Sequence, residues 1–388
     1  QANEYTVTYD ANGGTVTPES KVVTYNKPYG ELATPIKNGY SFVGWYYENT
    51  LVTANSIVNI AANHTLKAKW STNKATKYTV NHYVMNINGL GYYLYATDDL
   101  TGETDSTIPF SAIKRNITGF TYEKVLLDNN DTEEPSSVTG TTVKPNGDRV
   151  INFYYSRNKY TVGLAKGNGI KTVTNSFTAY YEADVSVSAT AKDGYQFSHW
   201  LSGNALIEDS EDNPYVFKMP AGDVNLTAMS KANTFTIKYD ANCNDATGTM
   251  ADTVHTFNGN VATRLNAFTR TGYSFNGWYA SRVNNGKTEW YYQNDWNWHT
   301  DDNVPSGYTK YKFANGEVSK NATTKNGDVI TFYAQWKVNQ YSLSVNPNGG
   351  TWGDGTSTQS FTQNYGTTRA LPVPTRTGYT FAGWSGSA

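Results

Sequence analysis

The 388-residue chain contains one cysteine, Cys243, and this scarcity excludes two ways of stabilising small domains. A single thiol can form neither an intramolecular disulfide nor a Cys-based zinc site. Histidines are also few, five in all, and none lies in a His-x-x-x-His or Gly-x-Ser-x-Gly context. The sequence therefore predicts a fold stabilised by packing, with no enzymatic activity, no catalytic residues, no cofactor and no metal site.

Charge and long apolar runs are scarce as well. Charged residues make up 16% of the chain, the net charge is −2 and the pI is about 6.3. This balance argues against a nucleic-acid partner, which usually meets a basic surface. No apolar run approaches the roughly 18 residues of a membrane span, so we expect no membrane insertion within this chain. What is abundant is aromatic residues, at 14%, and glycine, with 33, a composition typical of a β-rich, turn-rich chain.

A short motif recurs along the chain and indicates internal repeats. It has the form Gly-Tyr-x-Phe-x-x-Trp and occurs at Gly39–Trp45, Gly194–Trp200, Gly272–Trp278 and Gly378–Trp384, with a looser version at Gly119–Tyr122. Each copy follows an alternating first strand, and these strands begin at Tyr5, Tyr78, Tyr160, Phe235 and Tyr341. Four copies also have a last strand, at 66–70, 150–155, 224–229 and 330–336.

The first repeat shows how one unit is expected to fold. Tyr5, Val7 and Tyr9 share one face of a strand, and the cluster at 10–14 predicts a turn because Asn and Gly tolerate positive φ. Gly44 predicts a bulge or a close backbone approach. Tryptophans recur at fixed places in the units, which indicates core residues: Trp45, Trp70, Trp200, Trp278, Trp336 and Trp384.

The repeats predict a mostly β protein, a tandem array of five small modules that form an elongated rod and stay monomeric. We call the ranges 1–72, 73–158, 159–232, 233–338 and 339–388 modules one to five. The connections between them are short, which limits the swing of neighbours. Module five stops after Trp384 without a last strand, so we expect an incomplete core and a chain that is a fragment of a longer protein.

The motif order resembles a known family. Asp10-Ala-Asn-Gly-Gly14, then the Gly-Tyr-x-Phe-x-Gly-Trp motif, then a last strand ending in Trp resembles the internalin-type B-repeat, also called the Listeria–Bacteroides repeat, at 5–70, 235–336 and 341–384. The stretch 160–230 resembles a divergent relative. The stretch 78–156 resembles a mucin-binding-type repeat. The resemblance implies β-grasp-like (ubiquitin-like) modules without enzymatic activity, on the cell surface of Gram-positive bacteria or secreted.

Module four is longer than the others because of an insertion at 286–313, which is rich in aromatic residues and in acids and amides. We single out six ligand-binding candidates in it: Trp290, Tyr291, Tyr292, Trp296, Trp298 and Tyr308. Flat rings beside carboxylates suit a sugar, and exposed aromatics equally suit a protein partner. A third interpretation is that the rings fold onto their own module as a lid. In an extended segment Trp296 and Trp298 would face the same way as a pair.

Two functions from different classes follow from these features. The first is a structural and adhesive segment of a bacterial cell-surface protein that attaches to host or matrix ligands. The second is a carbohydrate-binding accessory region of a larger secreted enzyme. The expected partner is an unidentified glycan or protein. Two acidic loops, 128–134 and 208–212, are interpreted as solvated polar loops, with calcium binding as the alternative.

Overall fold

The computed structural model describes residues 1–128, 130, 132–135, 137–318 and 321–386. It is nearly all β, with 51% of residues in strands and 1% in helix, and the strands form many small sheets in tandem. The prediction of a mostly β array is therefore confirmed. A β-grasp-like character stays a prediction.

Module one forms a single sheet of five strands. These are β1 (Glu4–Asp10), β2 (Ser20–Thr24), β3 (Tyr40–Tyr47), β4 (Thr50–Val52) and β5 (His64–Thr72), in the order β2-β1-β5-β3-β4. The first and last strands, β1 and β5, run parallel, and the other pairs are antiparallel. The register of β3 against β5 shifts between Phe42 and Gly44, so the predicted bulge is confirmed. Asn12 and Gly13 have positive φ, as the turn prediction requires.

Module two has the same parallel pairing of first and last strands. Its elements are β6 (Thr76–Met85), β7 (Tyr92–Gly102), β8 (Thr107–Pro109), α1 (Phe110–Ile113), β9 (Phe120–Leu127), β10 (Gly140–Thr142) and β11 (Arg149–Arg157). The main sheet has the order β7-β6-β11-β9, with β6 and β11 parallel, and β8 pairs with β10. The four-residue α1 is the one α-helix among the described residues.

Module three repeats this arrangement with two extra ribbons. Its strands are β12 (Lys159–Lys166), β13 (Ile170–Val173), β14 (Phe177–Tyr180), β15 (Asp184–Val187), β16 (Ala189–Ala191), β17 (Tyr195–Ser202), β18 (Tyr215–Lys218) and β19 (Val224–Ala232). The main sheet has the order β14-β12-β19-β17, with β12 and β19 parallel. The ribbons are β13-β16 and β15-β18.

Module four contains the longest sheet. Its strands are β20 (Thr234–Asp240), β21 (Ala246–Thr247), β22 (Thr253–Thr256), β23 (Thr269–Arg270), β24 (Tyr273–Asn284), β25 (Lys287–Tyr292), β26 (Asn297–His299), β27 (Lys312–Phe313) and β28 (Asp328–Val338). The sheet has the order β22-β20-β28-β24-β25-β26, with β27 also paired to β24. Again the first and last strands, β20 and β28, are parallel.

Module five has two paired strands, β29 (Gln340–Val345) and β30 (Gln359–Asn364). Among the described residues β29 has no parallel partner, whereas β1, β6, β12 and β20 each have one. Trp352 is buried and stacks on Trp384 with ring centroids 5.6 Å apart, but Tyr379 is 68% exposed. Within the aromatic motif of this module, Tyr379 therefore lies at the surface, whereas the Trp384 ring packs between those of Trp352 and Phe381.

Four separate buried clusters form the cores, and each takes its residues from one of modules one to four. Trp45, Trp200 and Trp278 are almost completely buried, which confirms them as core residues. Trp70 and Trp336 pack at the edge of their clusters, and the indole N–H of each donates to a backbone carbonyl, that of Ala11 and of Ala241. Burying one such ring contributes several kcal/mol to its module, about 3–5 by the cost of its truncation.

Each pair of neighbouring modules meets through the same backbone geometry, which we call the joint. An asparagine between the modules donates its N–H to the carbonyl of the motif glycine in the preceding module, at 2.8–2.9 Å. Its own carbonyl accepts the N–H of a residue in the following module, also at 2.8–2.9 Å. The asparagines are Asn73, Asn158, Asn233 and Asn339, the glycines are Gly39, Gly119, Gly194 and Gly272, and the following donors are Thr104, Tyr181, Phe257 and Tyr365.

Side chains complete each joint. The asparagine side-chain oxygen accepts a hydrogen bond of 2.5–2.9 Å from the residue two places after the glycine, which is Ser41, Thr121, Gln196 or Ser274. In the last three joints an aromatic ring of the following module lies on the glycine, where a Cβ would come within 2.0–2.3 Å of Tyr181, Phe257 or Tyr365. Only glycine leaves this space, and all four glycines also have positive φ.

Candidate binding surface of module four

The insertion at 286–313 extends the sheet of module four at one edge. Strand β24 is twelve residues long and turns at Asn285 and Gly286, both with positive φ, into β25. Strand β26 then pairs with β25, so Tyr291 lies opposite Trp298. A two-residue turn of Asn-Gly is the standard hairpin connection. The insertion is therefore a continuation of the sheet, and its rings are distributed over the two faces of that sheet.

One set of rings packs inward. Tyr291 and Trp298 lie 5.1 Å apart between centroids and both pack against the buried core, where the Tyr291 ring lies 5.8 Å from that of Phe313. The indole N–H of Trp298 donates to the Ala322 carbonyl at 2.7 Å, and the Arg282 guanidinium lies over its ring at 4.8 Å. Burial raises the pKa of the Tyr291 hydroxyl. These two rings therefore pack onto the core of their own module.

The other candidates occupy different surroundings. Trp290 packs on Tyr333 with centroids 5.3 Å apart, and the Lys310 ammonium lies 3.8 Å above its ring. Tyr292 is 4% exposed and donates its hydroxyl to Asp301 at 3.2 Å.

Tyr308 meets the edge of His299, whose Nε2 lies 2.8 Å from Asp295. The six candidates therefore do not form one platform.

Trp296 differs from the other five because it is 61% exposed. Its φ of +55° is in the left-handed region, which is unusual for a bulky residue and which occurs at functional sites. The segment is therefore not extended at this point, so the condition under which Trp296 and Trp298 would face the same way is not met, and Trp298 packs against the core. Trp296 instead meets the edge of Tyr311, with centroids 5.0 Å apart.

A cavity of about 210 Å³ opens beside Trp296. Its lining residues are Tyr291, Trp296, Tyr311, Phe313, Glu317, Val318 and Ala322. The Glu317 carboxylate accepts the Tyr311 hydroxyl at 2.7 Å and the Ala314 N–H at 2.7 Å. The hydrogen bond to Glu317, with burial, raises the pKa of Tyr311 to about 12. An aromatic wall beside a fixed carboxylate can stack on an apolar ring face and accept hydrogen bonds from hydroxyl groups.

Glu317 and Tyr311 were missed by the sequence reasoning because both lie outside the six candidates. The signal was present, since Tyr311 belongs to the same aromatic window. The four joint asparagines were missed too. Three of them stand two residues before the first aromatic of a repeat, at Tyr160, Phe235 and Tyr341, and that spacing is visible in the sequence.

Metal binding has no support among the described residues, where no group of three or more His, Cys, Asp or Glu side chains is arranged to hold an ion. Of the loop at 128–134, positions 129 and 131 lie outside the described residues. Its Asp128 is held by Lys144 and Arg149. Calcium binding there and at 208–212 stays an untested alternative.

The fold and the joints define a class, a tandem array of small β modules. Comparison with family models identifies the repeats: the Listeria-Bacteroides repeat domain matches residues 5–69, 235–304 and 341–388, and the divergent InlB B-repeat domain matches 160–234. Modules one, three, four and five therefore contain repeats of these two families. The mucin-binding-type identification of 78–156 stays a prediction.

Two curated relatives come from Evansella cellulosilytica. One, named "Putative Gly-rich membrane protein", is 26% identical over 210 residues, which are 54% of this chain and 22% of the relative. The other, named "Putative membrane protein", is 25% identical over 252 residues, 63% of this chain and 34% of the relative. This chain thus spans at most about a third of either relative. In the described part of the chain no helix is long and apolar enough to cross a membrane.

Among solved structures, the Bacillus anthracis TIE protein overlaps 91% of this chain and 67% of its own length at 11% identity. The TM-score of 0.23 is too low to indicate a shared fold. Listeria-Bacteroides repeats are typical of bacterial surface proteins, and the family descriptions name no enzymatic activity.

Proposed function

We propose that this chain is a structural and adhesive segment of a bacterial cell-surface or secreted protein, in which stiffly joined modules project a binding surface. The observation that carries the proposal is the joint. A flexible linker would leave its polar backbone groups to water, whereas each of the four asparagines is bonded to both neighbours. Such bonding restricts rotation between modules, so spacing between them is maintained.

At the second joint a buried arginine, Arg157, contacts both modules and fixes their relative orientation. The Arg157 side chain is 3% exposed and donates to both the Tyr181 carbonyl and the Glu182 carboxylate, each at 2.9 Å. Its guanidinium also lies 4.6 Å over the ring of Phe120. A buried arginine is costly unless it is fully paired, and here its partners come from both modules. The orientation of modules two and three is therefore tied to a satisfied buried charge.

Small-angle scattering of the full chain tests the spacer function. Stiff joints predict a rod-like profile and a radius of gyration well above the roughly 21 Å of a compact globule of this length. A monomer of that compact size would contradict the proposal.

The adhesive part rests on Trp296 and its cavity. A half-exposed tryptophan held beside Tyr311 and Glu317 presents a preformed wall, and preformed aromatic surfaces lose little entropy on binding. Binding of the full chain to a glycan array and to matrix proteins would be compared with that of Trp296→Ala. Val254→Ala, an exposed apolar substitution in the same module, is the matched control. Binding lost only in Trp296→Ala supports the surface.

A second candidate function is a carbohydrate-binding accessory region of a larger secreted enzyme. The pairing of aromatic wall and carboxylate in the cavity favours it, because sugars offer both an apolar face and hydroxyl donors. The two functions differ in the expected ligand. Retention on insoluble polysaccharide, lost in Trp296→Ala, favours the accessory region; binding to host or matrix glycoprotein favours the adhesin.

A further inference from the structure

Module one contains, at Asn3 and Tyr25, a local geometry that matches the receiving half of a joint. The Tyr25 N–H donates to the Asn3 carbonyl at 2.9 Å, as Tyr181, Phe257 and Tyr365 donate to the joint asparagines at 2.8–2.9 Å. The following residue, Asn26, has a φ of +60°, and Glu182, Asn258 and Gly366 have values of +59° to +72° at the same place. An aromatic residue followed by a residue with positive φ thus forms the same receiving geometry in each case.

The groups that a preceding module would satisfy are open on this surface. In the described part of the chain the Asn3 N–H has no acceptor and its side-chain oxygen has no donor. Tyr25 is 39% exposed, and its ring meets the edge of the Tyr5 ring with centroids 6.5 Å apart. In the last three joints the asparagine N–H donates to a glycine carbonyl, its side-chain oxygen accepts from a polar side chain, and the receiving ring lies on the glycine.

The complementary half is equally well defined. It is a turn in which glycine has φ of +76° to +82°, followed by an aromatic residue and, at the next position, a hydrogen-bond donor. The aromatic that follows the glycine meets the receiving ring edge-on, as Tyr195 meets Phe257 at 5.6 Å. Any residue with a Cβ in place of the glycine would collide with the receiving ring, so the surface selects this turn.

We propose that the Asn3–Tyr25 surface is a docking surface for the Gly-Tyr turn of another module of this repeat type, joined directly ahead of Asn3. Its continuity with the four internal joints supports this occupant over an unrelated protein. The contact is small, so it depends on the high effective concentration that a direct covalent connection provides. The proposal extends the spacer function to a further module and does not depend on adhesion.

A fusion tests this. Residues 159–232 are copied ahead of Asn3 in the full chain in place of residues 1–2, so that Ala232 is followed by Asn3 as it is by Asn233. Hydrogen exchange of the Asn3 amide is then measured by NMR. We expect this exchange to slow by roughly tenfold or more relative to the unfused chain, because the Asn3 N–H would donate to the carbonyl of the copied motif glycine. The protection is limited because a joint can open by a local fluctuation without unfolding either module.

The matched control is the same fusion with Gly-Ser-Gly-Ser between Ala232 and Asn3, which leaves both modules intact but breaks the register. A second control is Tyr25→Ala in the direct fusion. Equal Asn3 exchange in the direct and spaced fusions would overturn the proposal, whereas slow exchange only in the direct fusion supports it.

Two further readouts separate the possible failures. Fast exchange of the Asn158 amide as well as of the Asn3 amide would show that the joints are not stably hydrogen-bonded, and would contradict the spacer function too. Slow exchange at Asn158 with fast exchange at Asn3 would overturn only the docking surface.

The competing occupant is the Gly-Tyr turn of module five in a second copy of the chain. Gly378 in that turn has φ of +82° and no described atom within 4 Å of where its Cβ would be, so the turn is open to a partner. Head-to-tail association of the unfused chain, abolished by Tyr25→Ala, would overturn the covalent arrangement.

Discussion

Modules one and four are two versions of one repeat that differ at a single edge of the sheet. Both place a parallel pair of first and last strands at the centre and bury a tryptophan, Trp45 or Trp278, against it. Beyond that pair, module one ends with the three-residue β4, whereas module four continues through β25 and β26. Module one therefore closes its core without an insertion, whereas in module four Phe313, Tyr291 and Trp298 of the insertion pack in or on the core. The exposed Trp296 is the part of the insertion that is left to carry a binding surface.

The largest expected effect is on the shared core. Trp278→Ala should cost about 3–5 kcal/mol of local stability, and Trp45→Ala a similar amount, because each removes a buried ring. Segment-resolved hydrogen exchange on the full chain should show opening only within the mutated module, since modules contact only their neighbours. If Trp278→Ala also opened 1–72, the modules would not be independent, and the comparison between them would lose its basis.

Two glycines with the same φ, one in a joint and one in the hairpin turn of module four, allow the two places to be compared. Gly272 and Gly286 both have φ of +77°, so alanine costs each about 1 kcal/mol of backbone strain. A Cβ at Gly272 would come within 2.0 Å of Tyr365, whereas at Gly286 it meets no described atom within 4 Å. Gly272→Ala should therefore lose about 1–3 kcal/mol more than Gly286→Ala, and should speed exchange of the Asn339 amide.

Equal destabilisation by the two alanines would mean that Tyr365 moves aside without cost. The joint would then be a loose connection, and the spacer function would lose its support.

A histidine distinguishes the two cores at a matched position. His255 in β22 occupies the place of Val23 in β2 and stacks on Phe235 with centroids 5.5 Å apart. Burial lowers the pKa of His255 from its usual 6.5. The unfolded state therefore binds more protons, and module four should lose stability as the pH falls below about 6.5, levelling off below the folded pKa.

His255→Val should remove this contribution to the pH dependence of module four. Module-resolved hydrogen exchange at pH values above and below 6.5 measures it in the native chain and the variant. An unchanged pH dependence in His255→Val would assign the effect to another group.

Much of the fold could be predicted from the repeats, because a position with the same structural requirement in each module carries the same type of residue. The buried tryptophans and the bulge at Gly44 were read correctly for this reason. The insertion occurs once, so nothing in the chain could be compared with it. Whether Trp298 turns inward depends on Ala322, which lies 24 residues further along the chain. Sequence alone does not place such a partner.

The joint was predictable in principle and was still missed. Asn158 attracts no attention as a single polar residue in a polar chain, and its backbone rather than its side chain makes both main contacts. Backbone bonding leaves a weak sequence signal, because every residue except proline offers the same groups. What identifies the asparagine is its position relative to the next strand together with its side-chain bond to Thr121.

The smallest effect on stability is expected at Trp296. Trp296→Asn removes a ring that is 61% exposed and relieves left-handed strain, which asparagine tolerates better. The loss of the contact with Tyr311 opposes that gain. The free energy of unfolding of module four should therefore change by no more than about 0.5 kcal/mol, and its melting temperature should change little. Trp298→Ala is the matched comparison and should destabilise clearly, because it also loses the bond to Ala322. A large destabilisation by Trp296→Asn would show that the ring supports the fold, and the exposed wall of the cavity would then be structural rather than a binding surface.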